Sequence, residues 1–167
     1  LTWLSQVCDV KHLLPDPYLT GAGYMKSFKG DSLKIHSDFN WNEECQTHRA
    51  LSLILYFTPD WDEAWHGDLQ FWDFEKTKKI VSYPPKMGNV VVWKYHKRGF
   101  HGHPNPITCP DDRFRVGFRT FYYIADSKHD WRDPPHKSLY WYDKDKNQPY
   151  HLENEYGHGK LEDDGEK

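Results

Sequence analysis

Short runs of β-branched and aromatic residues, separated by glycine, proline, asparagine and aspartate, restrict the fold of this chain more than any other feature. Such runs predict β-strands, and the clusters between them, such as Pro84–Gly88 and Pro104–Asp112, predict turns. The run Leu51–Phe57 is too apolar for a half-solvated strand and indicates an interior one. The predicted strands are Tyr24–Phe28, Leu33–Asp38, Leu51–Thr58, Asp68–Trp72, Lys79–Tyr83, Asn89–Tyr95 and Val116–Ile124.

This pattern predicts a mainly β fold, a double-layered antiparallel barrel or jelly roll of about eight strands, with a minor helix around Leu1–Val10. A chain of 167 residues suits one domain with a sizeable core. We expect a single domain over 1–152, with its core at 23–125 and a C-terminal hairpin at about 138–152. The segment 153–167 carries six acidic and two basic residues, and we expect this acidic tail to be disordered.

Composition excludes several classes of partner. The formal net charge is −3, so no basic surface predicts nucleic acid binding. No apolar run approaches the roughly 20 residues that span a bilayer, so no membrane association is predicted. The cysteines Cys8, Cys45 and Cys109 are odd in number and lack the CxxC spacing, which favours a reducing, cytoplasmic location. The oligomeric state is unknown from these features.

The stretch "KIHSDFN" places a histidine and an aspartate two residues apart on a predicted strand. Residues i and i+2 project from the same face of a strand, so His36 and Asp38 can occupy neighbouring corners of an octahedral metal. One further histidine would complete a 2-His-1-carboxylate face, which suits non-haem Fe(II). An isolated His-x-Asp pair is more often structural, so the prediction needs that third ligand.

Two later stretches contain candidates for the third metal ligand and for an anion-binding arginine. "GFHGHPNPI" contains His101 and His103 in a loop rich in glycine and proline, and either histidine could be the third ligand. "RFRVGFRTFYYI" alternates arginines with apolar residues, so that Arg115 and Arg119 share one face of a predicted strand. Such a strand lies either at the surface or along a cavity that binds an anion, because guanidinium pairs with carboxylate bidentately.

The order of these motifs resembles the Fe(II)/2-oxoglutarate-dependent oxygenases, and more narrowly their prolyl 4-hydroxylase-type branch. "GDSLKIHSDFN" is similar to the Gly-x-x-Leu-x-x-His-x-Asp-Phe-Asn of that branch. "HRALSLILYFTPDWDEAWHGDLQFWD" resembles its Arg-x-x-x-x-x-x-Tyr-Leu-Asn-x-x-Trp followed by Trp-Gly-Gly-x-Leu. "GFHGHPNPITCPDDRFR" resembles its His-Gly-His-Pro-x-Pro-Leu-x-Cys-Pro leading to Arg-x-Ser. The resemblance covers roughly Gly23 to Ile124 in the same order.

The resemblance implies a double-stranded β-helix, a cupin-like jelly roll, that uses Fe(II), 2-oxoglutarate and O2, with ascorbate as an auxiliary reductant. His36, Asp38 and His101 match the three iron ligands. Arg115 matches the catalytic-site arginine that pairs with the distal carboxylate of 2-oxoglutarate, and Tyr56 matches the tyrosine that joins this contact. The implied reaction is a dioxygenase hydroxylation of a prolyl residue in a peptide or protein, with decarboxylation of 2-oxoglutarate to succinate and CO2.

Further roles follow from matched positions and from departures. Arg49 matches a basic position at the mouth of related sites, and Trp61 lies in a Trp-rich loop, so both are predicted substrate contacts. Phe28 stands where many relatives have a cofactor-binding tyrosine, and Tyr24 is the predicted substitute. His66 replaces the first glycine of Gly-Gly-x-Leu, and Gly117 replaces the serine of Arg-x-Ser.

Arg119 is the most informative departure, because relatives have a small or hydroxylated residue there. A buried arginine needs a partner. The partner of Arg119 would be either an internal carboxylate or an anionic group of the substrate. Because of the second alternative, Arg119 is a further predicted substrate contact. The second alternative would fit hydroxylation of a free amino acid or another small molecule. A catalytically silent metal-binding module is a third interpretation, which the intact set of ligands disfavours.

Overall fold

The computed structural model describes residues 1–125 and 135–140. Over this part of the chain it contains one α-helix, one short 3-10 helix and eleven strands. The helix α1 spans Thr2–Cys8 and the 3-10 helix spans Glu63–Trp65. The strands are β1 (Leu14–Pro15), β2 (Gly23–Ser27), β3 (Leu33–Ser37), β4 (Trp41–Asn42), β5 (Thr47–Tyr56), β6 (Leu69–Trp72), β7 (Lys79–Tyr83), β8 (Val90–Lys94), β9 (His101–His103), β10 (Arg115–Ile124) and β11 (Leu139–Tyr140).

The strands form two antiparallel sheets. In the larger sheet β10 pairs with β5, with β1 and β2 on the other side of β10 and β4 and β8 on the other side of β5. The smaller sheet has the order β11-β3-β9-β6-β7. The predicted mainly β fold is confirmed, and the two sheets correspond to the two layers of a double-stranded β-helix.

Apolar side chains fill the interior in three clusters. Under helix α1, Leu4 packs on Leu51 and Ile124 of the larger sheet. A second cluster joins Ile54 and Tyr56 of β5 to the neighbouring strands. The third closes one end of the barrel around Trp61, Ile107 and Cys109. Within the described residues no helix is long and apolar enough to cross a membrane.

All seven predicted strands are present; β7 has its predicted ends, and the other six shift at one or both ends. The interior strand β5 begins at Thr47, four residues before its predicted start at Leu51 (51 − 47 = 4). The prediction missed three short strands, β1, β4 and β9, because two or three residues show no alternation of their own. His101–His103, predicted as loop, is therefore strand β9.

The structure describes only the beginning of the predicted C-terminal hairpin. Leu139 and Tyr140 pair with Ser37 and His36 of β3, so these residues extend the smaller sheet. The remainder of the predicted hairpin at 138–152 and the acidic tail at 153–167 lie outside the described residues.

One backbone conformation in the loop between β5 and β6 is strained. His66 has φ 63° and ψ −150°, a region that is essentially restricted to glycine. Its side chain is exposed, while its carbonyl oxygen accepts a hydrogen bond of 2.9 Å from Trp61 Nε1. The loop therefore retains the backbone of the Gly-Gly motif although a histidine has replaced the first glycine.

We expect His66→Gly to stabilise the protein. Relief of the strain is worth about 1–3 kcal/mol, and the greater freedom of glycine in the unfolded chain costs about 0.5–1 kcal/mol. The free energy of unfolding should rise by about 1 kcal/mol, which corresponds to an increase in Tm of about 2–4 °C. Thermal unfolding followed by circular dichroism measures it. The control His66→Ala keeps the Cβ and should melt near the wild type; a lower Tm for His66→Gly would contradict the assignment of strain.

Candidate metal and cofactor site

Three buried side chains meet at one point between the sheets. His36, Asp38 and His101 each offer a ligand atom, and these atoms all lie within 4.8 Å of one another. Their exposed fractions are 4%, 8% and 4%. No other group of three histidine, cysteine or acidic residues with this geometry occurs within residues 1–125 and 135–140. The structure thus brings together the predicted 2-His-1-carboxylate set.

The two histidines face each other because β3 and β9 are neighbours in the smaller sheet. His36 pairs in register with His101, and their ring centroids are 4.6 Å apart. The glycine that follows His101 permits this close approach. A Cβ at Gly102 would lie 2.7 Å from the carbonyl oxygen of Leu33, a backbone contact that cannot yield easily. The glycine in "HGH" is therefore a requirement of the strand pairing.

Hydrogen bonds orient both imidazole rings towards Asp38. Nδ1 of His36 lies 2.8 Å from the carbonyl oxygen of Lys34, and Nδ1 of His101 lies 2.7 Å from that of Gly99. Each Nδ1–H donates to its carbonyl, which leaves Nε2 as the free electron-pair donor. Nε2 of His36 and of His101 lie 3.8 and 3.7 Å from the Asp38 carboxylate oxygens. Burial, reinforced by His101, lowers the pKa of His36 to about 4, so the ring is neutral at pH 7.

Asp38 is held by two residues of β5. Its Oδ2 lies 2.8 Å from Arg49 Nη1 and accepts a hydrogen bond of 3.0 Å from Ser52 Oγ. Burial opposes ionisation of this carboxyl, but Arg49 and the neighbouring histidines outweigh it and hold the pKa well below its usual range. The carboxylate is therefore charged at neutral pH, with one oxygen engaged by β5 and Oδ1 directed towards His36.

Arg49 has an enclosed, fully buried position. Its guanidinium carbon lies 3.6 Å from the ring centroid of Phe39 and 3.5 Å from that of Phe121. The two rings are nearly perpendicular to each other, and both are within cation–π distance of the guanidinium. The exposed fraction of Arg49 is 0%, so the predicted role of Arg49 as a substrate contact at the mouth is wrong in this structure. Its contacts assign it to orienting Asp38.

Arg115 occupies the other end of the cavity. Its Nη2 donates to the Tyr56 hydroxyl at 3.0 Å and its Nε donates to the carbonyl oxygen of Gly67 at 2.8 Å. Burial raises the pKa of Tyr56, although Arg115 opposes this, and the phenol stays protonated as a hydrogen-bond donor. Met25 also reaches this end, with its sulfur 3.9 Å from Arg115 Nη1. The pair of Arg115 and Tyr56 has the chemistry that recognises a carboxylate.

A single cavity connects the two ends. It is lined by Met25, Leu33, His36, Asp38, Ile54, Leu69, Trp93, His101, His103, Arg115 and Arg119. His103, the alternative third ligand, is buried in this wall outside the cluster of three, and its Nδ1 has no hydrogen-bond partner. Burial, with the charge of Arg115, lowers the pKa of His103 to about 4. His103 is therefore a neutral ring beside the arginine end.

Two other predicted contacts lie away from the cavity. Tyr24 is 82% exposed, and its ring packs edge-on against Phe118 on the outer surface, so its predicted cofactor role is wrong. Alternation along β2 points the next residue, Met25, inwards instead. Trp61 is buried in the cluster at the end of the barrel, against Trp65 and Ile107. It cannot meet a substrate from there, so that prediction is also wrong.

Sequence reasoning missed Met25 and Ser52. Alternation along β2 would have predicted an inward Met25, because a strand that exposes Tyr24 turns the next residue towards the interior. Ser52 shares the inner face of β5 with Tyr56, four residues further on, so the same alternation indicated it. Both residues contact predicted site residues; Met25 lies outside the quoted motifs, and Ser52 stands at an unspecified position of one of them.

Comparison with known proteins identifies the family. A model of the 2OG-Fe(II) oxygenase superfamily matches residues 22–123. The chain therefore belongs to the 2OG-Fe(II) oxygenase superfamily. No curated protein sequence matches the chain.

Two solved structures are similar to this one. One comes from work on the crystal structure and expression patterns of prolyl 4-hydroxylases from Phytophthora capsici. It has a TM-score of 0.53 and 17% identity, over 77% of this chain and 40% of that chain. The other is a Pseudomonas putida prolyl-4-hydroxylase, with a TM-score of 0.43 and 17% identity, over 66% of this chain and 52% of that chain. The chain thus spans about half or less of the length of these proteins.

The residues present fit the cofactors of the family, which are Fe(II), 2-oxoglutarate and O2. Two imidazole Nε2 atoms and a carboxylate are the donor set that suits non-haem Fe(II). Arg115, which lines the same cavity and is hydrogen-bonded to Tyr56, suits the distal carboxylate of 2-oxoglutarate. The fit rests on this chain's own geometry as well as on its family.

We expect removal of Arg49 to destabilise the metal-free protein. Arg49→Met leaves the buried Asp38 carboxylate without its cation, which should cost about 3–5 kcal/mol in the free energy of unfolding. Addition of Mn(II), which supplies positive charge to the same carboxylate, should recover more stability in Arg49→Met than in the wild type. Urea unfolding with and without Mn(II) measures both effects.

Two further variants sharpen this experiment. Arg49→Lys keeps the charge and loses the guanidinium contacts with Phe39 and Phe121, so its stability should be intermediate. Arg113→Met removes an exposed arginine near the start of β10 and should leave stability within about 0.5 kcal/mol. If Arg49→Met were as stable as Arg113→Met, the assigned role of Arg49 would be wrong.

Proposed function

We propose that this protein is an Fe(II)- and 2-oxoglutarate-dependent dioxygenase that hydroxylates a prolyl residue in a peptide or protein. One observation carries the oxygenase chemistry: the cluster of His36, Asp38 and His101 shares a cavity with Arg115, which donates a hydrogen bond to the Tyr56 hydroxyl. The prolyl substrate is supported by the resemblance of the quoted motifs and by the prolyl 4-hydroxylases named for the similar structures.

In the proposed mechanism the protein's residues bind, orient and exclude water. His36, Asp38 and His101 hold the iron, with Arg49 and Ser52 fixing the carboxylate. Bound iron and 2-oxoglutarate together supply oxygen activation, coupled to decarboxylation of 2-oxoglutarate to succinate and CO2.

The two ends of the cavity have separate tasks. Arg115 and Tyr56 donate hydrogen bonds to the distal carboxylate of 2-oxoglutarate, which sets the depth of the co-substrate. The apolar walls, which include Ile54, Leu69 and Trp93, keep water from the reacting atoms. Ascorbate as an auxiliary reductant remains a prediction.

A second candidate is hydroxylation of a free amino acid. Arg119 favours it, because this arginine lines the same cavity and forms no ion pair with a carboxylate of the described residues. A substrate carboxylate would then lie within reach of the strand that also carries Arg115.

The cofactor site can be tested by anaerobic titration with Fe(II) and 2-oxoglutarate, which should produce the visible charge-transfer band of the chelate. His36→Ala removes a ligand and should abolish the band. Arg115→Ala should keep the band but need about 10–100 times more 2-oxoglutarate, since a hydrogen bond to a charged group contributes about 1.5–3 kcal/mol. Arg113→Ala is the matched control and should behave as the wild type. A wild-type protein without the band at saturating iron and 2-oxoglutarate would overturn the proposal.

The substrate class needs its own measurement. Aerobic turnover with a pool of proline-containing peptides should add one oxygen atom to some of them, detected by mass spectrometry. Matched peptides with alanine in place of each proline should gain none. Oxygen incorporation into the alanine peptides, or into no peptide while free proline is hydroxylated, would reject the prolyl-peptide assignment and leave the oxygenase intact.

A further inference from the structure

One arginine in the cavity forms no ion pair with any carboxylate of the described residues. Arg119 lies on the inner face of β10, in the same wall as His36, Asp38 and Arg115. Its Nη2 donates to the carbonyl oxygen of Gly21 at 2.7 Å, while its Nε is buried and has no hydrogen-bond partner. No carboxylate of residues 1–125 or 135–140 lies within ion-pair distance of it, so the internal-carboxylate alternative for Arg119 is not met there.

The other two arginines near the cavity, Arg49 and Arg115, already have hydrogen-bonding or ion-pair partners. Arg49 pairs with Asp38, and its guanidinium contacts the rings of Phe39 and Phe121. Arg115 donates to Tyr56 and to the Gly67 carbonyl, at the end of the cavity that suits the distal carboxylate of 2-oxoglutarate. Arg119 is four residues further along β10, or about 13 Å at the rise of an extended strand. The two arginines therefore enter the cavity from separate positions along the strand.

The position of Arg119 along the strand places it beside the metal ligands. Its charge reaches both His36 and Asp38, and the charges of Arg49 and Arg115 reach it in turn. Burial is the largest influence on Arg119 and lowers its pKa, but a guanidinium remains protonated in proteins. Arg119 is partly buried and has no carboxylate within ion-pair distance among the described residues, and binding of an anion would offset the cost of its desolvation.

We infer that Arg119 is the receptor for a carboxylate of the primary substrate, held next to the carbon that is oxidised. This inference rests on the proposed oxygenase function and defines the substrate class of the same cavity. Two sources provide this chemistry: the α-carboxylate of a free amino acid, and the acidic side chain of a residue adjacent to the target in a peptide. In either case the anion selects the substrate, while 2-oxoglutarate is selected by Arg115.

The test measures binding without turnover. The full chain is loaded with Mn(II) and 2-oxoglutarate under argon and titrated calorimetrically with acid–amide probe pairs. L-proline against L-prolinamide examines the free α-carboxylate. The blocked peptide Ala-Pro-Asp-Ala against Ala-Pro-Asn-Ala, and Ala-Asp-Pro-Ala against Ala-Asn-Pro-Ala, examine an acidic neighbour on either side. Each pair changes the charge and almost nothing of the shape.

Three variants accompany the wild type. Arg119→Gln removes the charge and keeps a donor for the Gly21 carbonyl, Arg119→Lys keeps the charge, and Arg113→Gln removes an exposed arginine as a control. The affinity for 2-oxoglutarate and the Tm are recorded for each. These two readouts separate a loss of the carboxylate contact from a loss of fold or of cofactor binding.

In the wild type, the acid of at least one pair should bind about 10–100 times more tightly than its amide. Arg119→Gln should abolish that ratio, Arg119→Lys should retain part of it, and Arg113→Gln should leave it unchanged. The pair that shows the ratio identifies the source of the carboxylate.

Two outcomes would overturn the inference. One is a wild type that binds no acid more tightly than its amide. The other is an Arg119→Gln variant whose affinity for 2-oxoglutarate falls as much as that of Arg115→Gln, which would assign Arg119 to the co-substrate. Failure of the proposed function is distinguishable from both, because the iron and 2-oxoglutarate chelate would then be missing from the wild type before any probe is added.

Discussion

The buried ion pair between Asp38 and Arg49 is the interaction on which the site depends. It connects the end of β3, in the smaller sheet, to β5, in the larger one. Burying two charges is costly, and this pair offsets the cost with a hydrogen bond from Ser52 and with the rings of Phe39 and Phe121 beside the guanidinium. The same contacts fix the orientation of the carboxylate, so the metal-ligand geometry and the spacing of the two sheets are set together.

Strand β10 arranges two positive charges in order along the same cavity. Inner positions of β10 present Arg115 at the end next to Tyr56 and Arg119 beside His36 and Asp38, with Gly117 between them. Side chains at alternate positions of an extended strand are separated by a constant rise. Strand β10 thus places two cations at separate positions along one wall of the cavity, as the proposed separate recognition of 2-oxoglutarate and of a substrate carboxylate requires.

Alternation and motif order predicted much of the site, and irregular pairing explains most of what they missed. Strand β10 pairs regularly with β2 from Arg115 to Arg119 and with β5 from Gly117 to Tyr122, so the shared face of the two arginines followed from parity alone. At the next pair the register shifts, and Arg49 rather than Ala50 pairs with Tyr123. Without that irregularity Arg49 would lie on the face opposite Tyr56, seven residues later (56 − 49 = 7). A shift between Leu33 and His36 likewise turns both side chains into the cavity, although they are an odd number of residues apart.

One departure from the family pattern, Gly117, is coupled to Met25 of β2 through packing. A Cβ at Gly117 would lie 2.6 Å from the terminal methyl of Met25, and 3.1 Å from the carbonyl oxygen of Leu55. Met25 therefore occupies the space that the serine of the resembled Arg-x-Ser motif would need, and its sulfur contacts Arg115 from that position. The missing side chain at position 117 and the inward Met25 are thus one packing arrangement beside Arg115, which a comparison of position 117 alone would treat as an isolated loss.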